Sequence, residues 1–75
     1  MTDRTAFRAA LEAALARLPT RQRIAVVLFD VEGYSHREIA QVVNVSEGTV
    51  RSDVFHARRA LRESLAAWRV IKEVS

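Results

Sequence analysis

The chain has no cysteine, one proline and only two glycines. Without thiols there is neither a disulfide framework nor a thiolate metal site. So few helix breakers leave room for uninterrupted helices. Aromatic residues are scarce at 7 %, and no apolar run approaches the ~20 residues that cross a bilayer. No charged-then-apolar leader opens the sequence, so a soluble, cytoplasmic protein is expected. A strong charge of one sign is missing too. Eleven Arg and one Lys stand against nine acids, a net +3 spread along the chain without a polybasic tail. That excess suits an anionic partner, but folding has to assemble the binding face. With no Gly-rich phosphate loop and no paired carboxylates in a credible pocket, an enzyme is not expected. No residues suggest a cofactor or a metal.

What is present is helical periodicity. Phe7, Leu11, Leu15 and Leu18 recur on one face beside Ala10 and Ala14, predicting a first helix capped near Asp3 and closed by Pro19. Thr20 is expected to cap a second helix with Ile24, Val27, Leu28 and Val31 inward, ending at a left-handed Gly33. Val26 and Phe29 point elsewhere, so this helix is apolar on more than one side. Either the first helix covers that side, or it forms an exposed groove for a partner helix. Ser35-His36-Arg37-Glu38 is a capping box. It opens a short helix with Ile39, Ala40 and Val43 inward, and Asn44 suits the left-handed residue that ends it. Ser46 caps a fourth helix on which Val50, Val54, Ala57, Leu61, Leu65 and Trp68 keep helical spacing. Ile71 and Val74 extend that pattern almost to the end, and Trp68 is expected against the first helix. The fold class is therefore all-α, four helices in one domain over 1–75. Its expected parts are a leading helix (1–18), a second helix (20–33), a helix-turn-helix pair (35–66) and a helical tail (67–75).

The pair is the part that carries function. Small Ala40 stands where two helix backbones approach, Asn44 and Val45 make the turn, and Val50 and Val54 pack back from the second helix. In a helix-turn-helix the second helix enters the DNA major groove. With Val50 inward and about 100° per residue, Gly48, Ser52, Phe55 and Arg59 face out, with Arg51 and Arg62 at one edge and His56 at the other. Arg suits guanine, Ser donates or accepts, and Phe meets a thymine methyl. For Phe55 the structural alternative is packing on the first helix or the tail. His36 reads as first-turn surface, and Glu47 as a dipole-favouring first-turn acid.

From Leu18 to Leu61 the ordered phrases Leu-Pro-x-x-x-Arg, Glu-Gly, Ser-x-x-Glu-Ile-Ala, Ser-x-Gly-Thr-Val-Arg-Ser and Ala-Arg-x-x-Leu all occur. This set resembles region 4 of bacterial sigma factors, the extracytoplasmic-function group of the sigma-70 family, a helix-turn-helix of winged-helix-like type with a long C-terminal recognition helix. The resemblance implies reading of the minus-35 promoter element and docking on the RNA polymerase β flap, in transcription initiation. An anti-sigma factor is a further partner it admits, for which Val26 and Phe29 are the groove candidates. Carried over by position, Arg51, Ser52, Phe55 and His56 fall where the family reads bases. Arg21, Arg23, Ser35 and Arg37 fall where it holds the DNA backbone, and Thr49 and Arg59 join that set.

Two positions depart from the pattern, because many members carry a basic residue where Asp53 and His56 stand. Asp53 lies about 60° from the core direction, on the flank, which favours a pair with Arg37 or another helix's arginine over base contact. On charge alone, Asp53→Arg is expected to strengthen non-specific binding. Arg58 is read either as a phosphate contact or as a partner of Glu47 or Glu63. Two other functions stay open: a LuxR-type regulator domain, which shares two of the phrases and reads paired half-sites, and a polymerase or anti-sigma adaptor that has lost DNA binding. Promoter melting belongs in the family to a separate region 2, for which this length has no room.

Overall fold

The computed structural model describes residues 3–68. Four α-helices succeed one another, α1 (Asp3–Arg17), α2 (Thr20–Val26), α3 (His36–Val43) and α4 (Glu47–Ser64), with a five-residue π-helical turn, Val27–Val31, continuing α2. There is no strand among the described residues.

The helix ends follow local chemistry. At Ser35 the hydroxyl accepts the Glu38 N–H at 3.0 Å, while the Glu38 carboxylate accepts the Ser35 N–H at 2.9 Å. Two donors with no intrahelical partner are thus satisfied at once. Asn44 ends α3 at φ 60, ψ 49, and its neighbour Val45 donates back to the Ala40 carbonyl at 3.1 Å. Ser46 caps α4 by accepting the Thr49 N–H at 3.1 Å. Thr20 does not cap α2. It is the first helical residue, and the cap position falls to Pro19, which makes no side-chain bond. Pro19 has no side-chain acceptor, so the first N–H groups of α2 receive no side-chain cap.

Two adjoining cores hold the helices. In one, Ala25 of α2, Ile39 and Ala40 of α3, and Val50 and Val54 of α4 are buried together, with Leu28, Phe29, Val43 and Val45 around them. In the other, Leu18, Val26 and Ala57 meet, with Leu15, Val27, Ala60 and Leu61 at the edge. Helix α2 is a wedge between the helix-turn-helix pair and the end of α1. Its buried edge is therefore Ala25–Val26. The expected inward stripe is corrected here, since Ile24 is 37 % exposed and Val31 73 % exposed. The π turn causes part of this shift. Its Glu32 N–H bonds to the Val27 carbonyl five residues back, at 3.1 Å, so fewer degrees separate successive side chains than in an α-helix. Gly33 then supplies the positive φ, +82, that turns the chain towards α3.

Helix α4 is interrupted at Leu65 within the apolar spacing that predicts one continuous helix. Leu65 leaves helical geometry at φ −106, ψ 16, and helical geometry resumes over 66–68, where the Trp68 N–H bonds to the Leu65 carbonyl at 3.0 Å. After that break the indole stands edge-to-face with Phe7 of α1, centroids 5.5 Å apart. This is the expected contact with the first helix, reached by a bend. Ile71 and Val74 lie outside the described residues.

Candidate nucleic-acid interface

The exposed face of α4 carries Arg51, Ser52, Phe55 and His56 side by side. Phe55 is 56 % exposed; its one aromatic neighbour is His56, edge-on at 5.3 Å. Arg51 reaches back one turn to Glu47, Nη2 to Oε2 2.8 Å, an exposed pair of the kind that contributes a few tenths of a kcal/mol. A shallow depression of ≈ 320 Å³ beside these residues is lined by Phe29, Val54 and Phe55 and by Arg51, Arg58 and Arg62. It joins apolar surface to guanidinium groups, the combination that thymine methyls and phosphates both suit.

Asp53 is the departure from this face. It is the one buried charged residue among those described, 6 % exposed, and it points away from Ser52 towards the start of α2. There Arg21 grips it with two hydrogen bonds, Nε to Oδ2 at 2.6 Å and Nη2 to Oδ1 at 3.4 Å. The hydrogen bond to Asp53, and then its charge, hold the Arg21 guanidinium further towards its ionised form. The expected intramolecular pair therefore exists, with Arg21 and not Arg37 as the partner.

The other flank of α4 carries a second pair with the polarity reversed. Arg58 donates from Nε to Asp30 Oδ2 at 2.8 Å, and its Nη2 meets the other carboxylate oxygen. Those hydrogen bonds pull the Asp30 carboxyl below the usual aspartate range. The guanidinium also lies 5.3 Å from the centre of the Phe29 ring, and that ring stacks on His36, 4.2 Å between centroids at 6°. The partner of Arg58 is thus Asp30 of the π turn rather than Glu47 or Glu63. His36 faces inward over Phe29 instead of standing free. Neither contact was legible from spacing, because both cross between elements that the π turn sets.

The expected backbone-holding residues divide. Arg37 is exposed at the capped start of α3, beside the Ser35 hydroxyl and the positive end of the helix. Arg59 is exposed and lies 3.5 Å from Glu63. The Thr49 hydroxyl is within 2.9 Å of the Ser46 hydroxyl, inside the cap. Arg23 turns away altogether. Its Nη1 donates to the carbonyls of Leu15, Ala16 and Leu18, the nearest at 2.9 Å, which satisfies acceptors at the end of α1 that have no helical partner. Arg21 is held by Asp53, as above. Of the two groove residues, Val26 is corrected to core, 4 % exposed. Phe29 is half-buried under Arg58 and His36. Among the described residues there is no cluster of potential metal ligands, and no helix is long and apolar enough to cross a membrane.

Comparison with known proteins agrees with this geometry. The family described as sigma-70, region 4, matches residues 8–61. The extracytoplasmic-function sigma factor SigE of Mycolicibacterium smegmatis is 50 % identical over 56 residues, covering 75 % of this chain and 22 % of the relative. SigM of Mycobacterium tuberculosis is 44 % identical over 68 residues, 87 % of this chain and 35 % of the relative. The sigma factor FliA of Pseudomonas aeruginosa is 40 % identical over 63 residues, covering 84 % and 26 %. The chain thus spans about a third or less of the curated relatives it matches. The capped helix, the left-handed turn and α4 as far as Leu61 fall inside the matched span, and the chain belongs to the sigma-70 family, as region 4 of its extracytoplasmic-function group.

Proposed function

We propose that the chain recognises promoter DNA at the minus-35 element, docking on RNA polymerase through the β flap, in bacterial transcription initiation in the cytoplasm. One observation carries this reading: the outward face near the start of α4 offers Arg51, Ser52, Phe55 and His56, while the acid within that run is turned into the protein. A helix read in the major groove can use donors, acceptors and an apolar group at its N-terminal end, and turning Asp53 inward keeps its charge from repelling the nearby phosphates. Arg37 and the capped start of α3 supply the phosphate contact that sets register. The chain acts as a binding module without catalysis.

Selection of bound sequences from random duplex DNA, with and without core polymerase, tests the reading. Enrichment of one directional motif is the expected result, strengthened by polymerase. A two-fold symmetric motif would point to a LuxR-type regulator instead. Failure to enrich any sequence at low salt, with polymerase binding retained, would establish the adaptor reading, although the burial of Asp53 removes the main sequence argument for it.

A further inference from the structure

Helix α4 is clamped between two crossed ion pairs. Asp53 on one flank meets Arg21 at the start of α2, and Arg58 on the other flank meets Asp30 in the π turn that continues it. By helical rotation these two α4 positions lie roughly 140° apart around the axis. Between them the inner face is Val50, Val54 and Ala57, all at most 3 % exposed. These short apolar side chains hold the helix against the core by packing, which is not directional in the way a hydrogen bond is. Hydrogen-bonded ion pairs are directional. A rotation of about 15° carries an atom about 6 Å from the axis through roughly 1.5 Å, enough to break a base-edge hydrogen bond.

We propose that Asp53 is a specificity-determining positioning residue, which through Arg21 sets the rotation at which Arg51, Ser52 and Phe55 meet the bases. The pair is suited to this. Its carboxylate is buried, its two hydrogen bonds come from a planar guanidinium, and Arg21 lies one residue after Thr20, where α2 starts. The same contact withdraws Arg21 from the DNA backbone, so the chain forgoes one phosphate contact in exchange for a fixed reading helix.

Charge alone predicts the opposite outcome, which makes the proposal testable. It rests on the DNA-reading function, so the probe is the duplex most enriched by this chain from random DNA, alongside a scrambled duplex of equal composition. Affinity for both is measured by fluorescence anisotropy over a salt series for the full chain and for Asp53→Asn, Arg21→Gln and the double variant. In Asp53→Asn, affinity for the scrambled duplex holds or rises, because one negative charge is gone. The ratio of selected to scrambled affinity falls at least about fivefold. Arg21→Gln lowers the ratio similarly, and the double variant falls no further than either single change. Thermal unfolding of each variant establishes that it is folded at the assay temperature. Should Asp53→Asn prove unfolded there, Arg21→Gln, altered at a half-exposed side chain, still reads the ratio. An unchanged ratio with both affinities raised would reduce Asp53 to a charge effect and overturn the proposal. So would parallel losses on both duplexes, or a normal ratio in Arg21→Gln. If the parent chain enriches no sequence at all, the DNA-reading function fails first and takes this inference with it.

Discussion

At the scale of single residues, neighbours on α4 have opposite duties. Ser52 projects to solvent and Asp53, one position on and about 100° further round, is buried against Arg21. The charge argument for Asp53→Arg therefore gives way to packing. A second guanidinium would be forced beside Arg21 at a position where the native side chain is largely buried, so two like charges would face each other with the carboxylate between them gone. Asp53→Arg is expected to lower the thermal midpoint by about 5 °C or more, with any gain in non-specific DNA binding visible only well below that temperature. Calorimetry or circular dichroism on the variant checks this. Arg51 behaves differently, because its pair with Glu47 is exposed and weak. Arg51→Ala should leave the midpoint within a degree or two. It should cost about tenfold in affinity for the selected duplex, the worth of one good base contact, as anisotropy titration would reveal.

Elements are decided by their ends. Asn44 holds the left-handed conformation that lets α3 stop and α4 start. In Asn44→Ala a Cβ without a compensating polar group must adopt that conformation, at about 1 kcal/mol. Asn44→Gly should unfold within a few tenths of a kcal/mol of the parent in urea, or slightly above it. The π turn offers an acid-sensitive joint. Arg58 holds the Asp30 carboxyl below its ordinary range, so the folded state binds a proton less readily than the unfolded chain. The stability from this pair is present above the unfolded aspartate value near 3.9 and is lost as pH falls through the lower folded value. The pair is partly exposed, which limits its size. Asp30→Asn should therefore flatten the stability profile below about pH 4 and slightly lower stability at neutral pH, measured as urea midpoints across the range.

For the whole molecule, the relevant quantity is how many cations remain for DNA after the protein has used the others. Arg21, Arg23 and Arg58 serve the fold, by gripping Asp53, satisfying the last carbonyls of α1 and fastening the π turn. Arg37 faces solvent at the start of α3. Arg37→Ala should reduce the slope of log affinity against log salt by about 0.9, the loss of one phosphate contact, without lowering the thermal midpoint. Arg23→Ala should do the reverse, lowering the midpoint and sparing the slope. Equal slope changes in the two variants would contradict this division.

Short-range chemistry made the outline legible from the residues alone. The capping box at Ser35, the left-handed Asn44, the serine cap at Ser46 and the outward set Arg51, Ser52, Phe55 and His56 each depend on positions within about two turns of one helix. Family membership follows from the order of the same phrases. Contacts between helices were not legible in this way. The pairing of Asp53 with Arg21 spans 32 positions and that of Arg58 with Asp30 spans 28. The residues alone left Asp53 with several candidate arginines and named the wrong acids for Arg58. Sequence by itself determined which helices form, how α3 begins and ends and which face of α4 is offered. The tertiary structure alone decided which charges are spent inside the protein, because ion-pair choice depends on crossing geometry and on the π turn, neither of which is written in local spacing.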